Sequence, residues 1–387
     1  MSATPRGGRA PDAVPQYKAY SNQVNGQNPP EGIQHPQPLH FREKAPSDAR
    51  EVRAGPAALP EGEALLRARI KDLSLHLSGT PLERYIQQLY TELEAKGFSF
   101  RPECYLSDQW GCPSGVPVIG IPFYLADPKL HSLEEQLGGG LESEAEILMY
   151  LRHECGHALN YAYKLYETPE WLKLFGDYGK PYRDDYKPQP FSRKYVAHIS
   201  GWYAQKHPDE DFAETFAVWL TPGSNWQKRY AGWGALKKLQ YVDTLAQRIG
   251  RTPPVVTLAE RDLDVTQMEE TVLDHYRQRQ LEEKVEFNLR DRLDEELTDL
   301  FEEPGDATYR ADTLIRAERQ SLVQTVSHYT GVGPGVVKAL IDHLQERAAV
   351  LNLTVQVAQT RAYLTRFTSL VTALAMNYLY TNRFFEE

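Results

Sequence analysis

The chain has 387 residues, 41% hydrophobic and 25% charged, with a formal net charge of -10 and a pI near 5.7. That length can bury a substantial core in one large or two ordinary domains, while the acidic total argues against general binding to nucleic acid or anionic membrane and favours small-molecule or protein partners. Three cysteines, Cys104, Cys112 and Cys155, cannot all pair and follow no C-x-x-C spacing, which is the usage of a reducing compartment.

Residues 1–58 are rich in Pro, Gly, Gln, Asn and Ala, with apolar residues scattered singly. Such a segment buries too little surface to offset its chain entropy, so a disordered or extended arm is expected. Its start, MSATPRGGRAPDAVPQYK, lacks the apolar core of a secretory signal. Late in the chain, FTSLVTALAMNYLY (367–380) spans 14 residues and is interrupted by Thr, Ser and Asn, too short to cross a bilayer. A cytoplasmic protein without membrane contact is the expectation.

From Glu61 the pattern turns helical. EGEALLRARIKDLSLHLSG and PLERYIQQLYTELEAKG repeat apolar residues at three- and four-residue steps and each stops at Gly, which predicts two helices. The β-branched and aromatic run Val116–Leu125 reads as a strand at a sheet edge, because Pro122 has no backbone donor. LESEAEILMYLRHECGHALNYAYKLYE (141–167) opens with acids and has Gly156 as its one internal breaker, so a long helix is expected. After a loop rich in Tyr, Pro and Asp (168–197), His207-Pro208 marks a boundary and predicts a helix over Pro208–Leu220. A charged helical tract follows at roughly 257–303, and further helices at 311–382. The fold class is α+β, mainly helical, divided into an arm (1–58), a domain over 59–250 and a helical C-terminal region (251–387).

Within the long helix, His153-Glu154-Cys155-Gly156-His157 sets two histidines four residues apart. They stand about 40° apart around a helix and one turn along it, so both imidazoles can reach one metal ion. Glu154 lies beside them, placed to take a proton from a metal-bound water, while Cys155 points largely away. A catalytic zinc commonly has three protein ligands and an open position. HPDEDFAETF offers Glu210, Asp211 and Glu214, with Glu210 and Glu214 four apart on one face. One carboxylate can bind metal while the other accepts the second ring proton of a ligand histidine. Spacing alone leaves these two roles interchangeable.

With these two motifs the chain resembles the gluzincins, in which H-E-x-x-H on one helix is completed by a glutamate from a later helix. More narrowly, the stretch from Glu210 to Phe216, EDFAETF, resembles the second-helix motif of the anthrax lethal factor catalytic domain and of a group of bacterial zinc metallopeptidases. The resemblance covers roughly residues 116–222. It implies a zincin-like domain with a small sheet, one zinc ion (Zn2+) per chain, Glu210 as third ligand and Glu214 as orienter. It also implies that Tyr203 stabilises an oxyanion, a role a phenol donor suits; Tyr195 and His198 are substitutes from the same loop. In such enzymes an edge strand upstream of the zinc helix pairs with extended substrate, the place Val116–Leu125 would take.

The expected function is zinc-dependent hydrolysis of peptide bonds in a protein or peptide substrate, with Glu154 as general base. A non-catalytic metal-containing scaffold protein and a zinc hydrolase of a non-peptide amide are the alternatives. HYTGVGPGVVKALIDHL (328–344) resembles the helix-hairpin-helix element through Gly331, Val332 and Gly333, but Gly335 and Asp342 stand where basic residues would help hold phosphate, so nucleic acid is not an expected partner. Of five tryptophans between 171 and 233, Trp219 is expected in the core.

Overall fold

The computed structural model describes residues 61–138, 141–183, 186–257, 259–282, 293–302, 308–381 and 383–384. The arm expected over 1–58 and the middle of the charged tract, 283–292, lie outside these residues. The described chain is α+β and mainly helical, as its periodicity predicts. No described helix is long and apolar enough to cross a membrane.

Two buried apolar clusters organise the described residues. The first gathers residues from Leu65 to Tyr276, including Val265, Met268 and Val272 beyond the expected division near 250. It is built on helices Pro81–Ala95, Glu144–Ala162, Pro208–Leu220 and Ala235–Ile249, with two parallel strands, β1 (Glu103–Ser107) and β2 (Val118–Pro122). The second runs from Leu293 to Phe384 around helices Ala311–Thr330, Pro334–Val350 and Thr360–Thr381. A short antiparallel ladder, β3 (Thr308–Arg310) with β4 (Thr354–Gln356), ties its ends.

Two expected elements take a different form. The 61–79 run is broken: a helix at Glu63–Arg67 gives way to extended backbone at Ala68 and Arg69, then a 3-10 turn at Ile70–Leu73. Tertiary pairing competes with the helix there, since Ile70 N–H donates to Glu270 C=O and Val272 N–H to Ala68 C=O, both at 3.0 Å. Likewise the 116–125 run is strand only over Val118–Pro122, turning into a 3-10 helix at Phe123–Ala126. Every residue of β2 is buried, β1 lies on one side, and Gly111 bonds to Gly120 from another. Backbone groups that an extended substrate would need at Gly120 are therefore already engaged, at 2.7 and 3.3 Å.

The two helices that matter most cross tightly. Helix Glu144–Ala162 starts in a capping box, Ser143 with Glu146, which satisfies its first donors. Helix Pro208–Leu220 is buried along all thirteen residues and is capped by the His207 side chain, with Pro208 in its first turn. A Cβ at Gly156 would stand 2.7 Å from Ala213 Cα, closer than packing permits. Gly156, inside the histidine motif, is the position that lets the helices approach. Trp219 packs in the core, 1% exposed, its edge against Phe98 and its Nε1 donating to Asp243 at 2.9 Å.

Candidate metal centre

The helix crossing brings His153, His157 and Glu210 together in the interior. His153 Nε2 lies 3.1 Å from His157 Nε2 and 3.0 Å from Glu210 Oε2, and His157 Nε2 lies 3.3 Å from the same oxygen. A tetrahedral zinc with bonds of about 2.0–2.1 Å has ligand-to-ligand edges of about 3.3–3.4 Å, so this triangle is of the right size.

What lies behind the rings sets which nitrogen carries the proton. His153 Nδ1 is 3.0 Å from Glu214 Oε1, and His157 Nδ1 is 3.0 Å from Asp209 Oδ2. Glu214 accepts from Nδ1–H of His153 and Asp209 stands against Nδ1 of His157, so rings in their neutral form would turn both Nε2 lone pairs, with Glu210 Oε2, toward one point. Three acceptors facing one another repel unless a cation lies between them, and two nitrogens with one carboxylate suit zinc. Glu154, 3% exposed, leaves Oε2 without a hydrogen-bond partner among the described residues, a buried acceptor beside the same centre. The residues present fit the ion.

The orienting carboxylates are themselves held. Glu214 Oε2 accepts the backbone N–H groups of His198 and Ile199 at 3.2 and 2.9 Å. Asp209 accepts from Asn160 Nδ2 at 2.7 Å and Tyr161 OH at 2.6 Å. Asp209 escapes the sequence reading because spacing of i and i+4 draws attention to Glu210 and Glu214; its signal was a third acid in the first turn, facing the histidine helix. Asp211 turns away to pair with Lys238, and burial lifts its carboxyl to about 7 despite that ammonium.

Burial is the largest single influence on these groups, but it does not decide most of them. It pulls both imidazoles toward neutrality, but without an ion the acids prevail. Hydrogen bonds to Glu210 and Glu214 push His153 up to about 9, and Asp209 and Glu210 hold His157 well above its ordinary range. Burial equally works to raise Glu210, yet the two histidines keep it well below the usual carboxylate range. Glu154 is shifted upward, chiefly by desolvation, with Glu210 and Asp209 adding to the effect.

Two phenols reach the other face of Glu210. Tyr203 OH is 3.4 Å from Glu210 Oε1, and its ring lies 5.7 Å from that of His153. Tyr182, absent from the sequence reading, donates to the same oxygen at 2.7 Å and lies 2.9 Å from Tyr203 OH. Lys206 stands over both rings, at 4.3 and 5.3 Å. Tyr195 packs instead beneath Lys238, and the His198 ring lies 3.1 Å from Met149 C=O, with burial depressing its pKa. Cys155 is buried in the apolar cluster.

A mainly helical α+β chain in which two histidines and a glutamate converge in the interior has the makings of a metalloprotein. Residues 133–230, which contain all three candidate ligands and both orienting carboxylates, match the model of a family described as "Putative zinc-binding metallo-peptidase". No curated protein and no solved structure matches the chain.

Proposed function

We propose that the protein is a zinc-dependent peptidase of the gluzincin type, hydrolysing amide bonds in protein or peptide substrates, with one zinc held by His153, His157 and Glu210. The observation that carries this reading is the convergence of the three donor atoms beside Glu154, with each ring's far nitrogen held by a carboxylate. When bound, zinc supplies Lewis acidity that lowers the pKa of a water and polarises a carbonyl. Glu154, held near the centre by its helix, accepts the water's proton on its carboxylate and returns it to the leaving amine. Tyr182 donates to Glu210 and lies against the Tyr203 hydroxyl, the donor we assign to the negative charge that develops on the substrate oxygen. Glu214 and Asp209 keep the rings in the tautomer that the ligands need.

The test is Glu154→Gln, with zinc content and turnover of a peptide library measured on the same preparation. Zinc should be retained while turnover falls by about 10²–10⁴-fold, the usual contribution of a general base. Full activity in the variant would remove Glu154 from the mechanism.

A further inference from the structure

Tyr203 is carried by a loop whose outer face is covered by a part of the chain that the proposed chemistry leaves unused. Residues 186–205 fold back on themselves. Tyr186 OH donates to Gly201 C=O at 2.9 Å, Gln189 N–H to Gln205 Oε1 at 2.9 Å, and Gln205 Nε2 to Gln189 C=O at 2.9 Å.

The hairpin joining helices Ala311–Thr330 and Pro334–Val350 closes over that loop. Trp202 Nε1–H donates to His328 C=O at 2.9 Å, and its indole stacks on the His328 ring with centroids 5.8 Å apart. Phe191 meets the same indole edge-on at 5.6 Å. Gly331, at φ +78°, has room for nothing larger: a Cβ would stand 2.8 Å from Pro188 Cγ and 3.4 Å from Pro190 and Trp202. The same C-terminal unit reaches the start of the histidine helix, where Gln320 and Gln324 donate to the capping-box residue Glu146 at 2.8–2.9 Å.

Trp202 adopts a left-handed backbone conformation, φ 58° and ψ 39°. A bulky residue seldom adopts that conformation, and the contacts that hold Trp202 in it include the C-terminal hairpin. The next residue is Tyr203, so fixing the backbone at Trp202 fixes where that phenol points. The Gly331-Val332 turn, which in sequence resembles a phosphate-binding hairpin, is buried in this contact.

We propose that Trp202 is a positioning residue: the His328–Gly333 hairpin, seated on Trp202, aims Tyr203 at the metal centre, making the C-terminal helical unit part of the active site's support. The inference rests on the peptidase reading for its effect on turnover, and on the loop alone for its structural part.

The experiment uses the full-length zinc-loaded chain, with Trp202→Phe, which keeps the ring but loses the donor, and Gly331→Ala, which wedges the hairpin away from Pro188. Tyr203→Phe and the Trp202→Phe/Tyr203→Phe double variant complete the set. Zinc stoichiometry should be unchanged in every variant, and amides of residues 198–206 should exchange at least about tenfold faster in the two contact variants. Their kcat should fall by about tenfold with KM nearly constant. The double variant should be no slower than Tyr203→Phe alone, because Trp202 acts through Tyr203. Unchanged exchange in both contact variants, a rise in kcat or additive losses in the double variant would each overturn the proposal. Should the wild type cleave nothing, the peptidase reading fails, while the exchange data still decide whether the hairpin holds Tyr203.

Discussion

All thirteen residues of helix Pro208–Leu220 are buried, whereas the loop leading into it leaves Phe191 61% exposed and holds both Phe191 and Trp202 in left-handed conformations. The candidate ligands and their orienting carboxylates belong to the helix crossing, and Tyr182 and Tyr203 lie outside it. Helix packing over Gly156 and Ala213 sets the distances among the metal donors from within. The loop is tied to that crossing where His198 and Ile199 donate to Glu214, and Trp202 adds a contact to a hairpin more than a hundred residues away. One candidate centre thus draws on two kinds of support, a helix crossing that gathers three candidate ligands and a loop that brings a phenol beside them.

The largest effect should come from disturbing the crossing. Alanine in place of glycine ordinarily favours a helix by about 0.8–1 kcal/mol. Gly156→Ala should instead destabilise, since its Cβ would meet Ala213 and overpacking costs about 1–3 kcal/mol. Thermal unfolding of the zinc-loaded protein should show a lower midpoint; a higher one would mean that the crossing is looser than the structure shows.

A smaller change separates the two supports. Asp209→Asn removes the carboxylate that orients His157, and outer partners of this kind are worth about 10–100-fold in metal affinity. Tyr182→Phe removes only a donor to Glu210 from outside the crossing and should weaken zinc by less. Competition with a chelating dye measures both, and equal losses would erase the distinction between crossing and loop.

A further test needs no mutation. In the metal-free chain His153 is pushed up to about 9, above the ordinary 6.5, because hydrogen bonds to Glu210 and Glu214 outweigh burial. A raised imidazole stabilises the metal-free fold fully below about pH 6.5, and that contribution is lost as pH rises through about 9. Zinc requires both rings neutral, and His157 is also held well above its ordinary range, so affinity should climb by at least about tenfold per pH unit between about pH 7 and 9. A flat profile over that window would contradict the acid-held imidazole.

How much of this was legible in the sequence follows the same division. His153, Glu154, His157, Glu210 and Glu214 could be read because helical periodicity converts spacing into direction, and each helix is continuous in the structure. Asp209 could not, since it neighbours Glu210 and depends on how the two helices cross. Tyr182 was hidden among 23 tyrosines, in a stretch without periodicity. The break at Ala68 and Arg69 was equally invisible, because it answers to backbone groups near residue 270. The Gly331 turn stands out in the sequence, but a glycine that lets backbone approach backbone looks the same there whether its neighbour is phosphate or tryptophan.

The most direct measurement is zinc content by elemental analysis of the purified wild type and of Glu210→Ala, with circular dichroism to verify that both are folded. One zinc per chain in the wild type and a small fraction of that in the variant is the predicted result. Equal zinc in both proteins, or none in the wild type after reconstitution, would contradict a centre built from His153, His157 and Glu210.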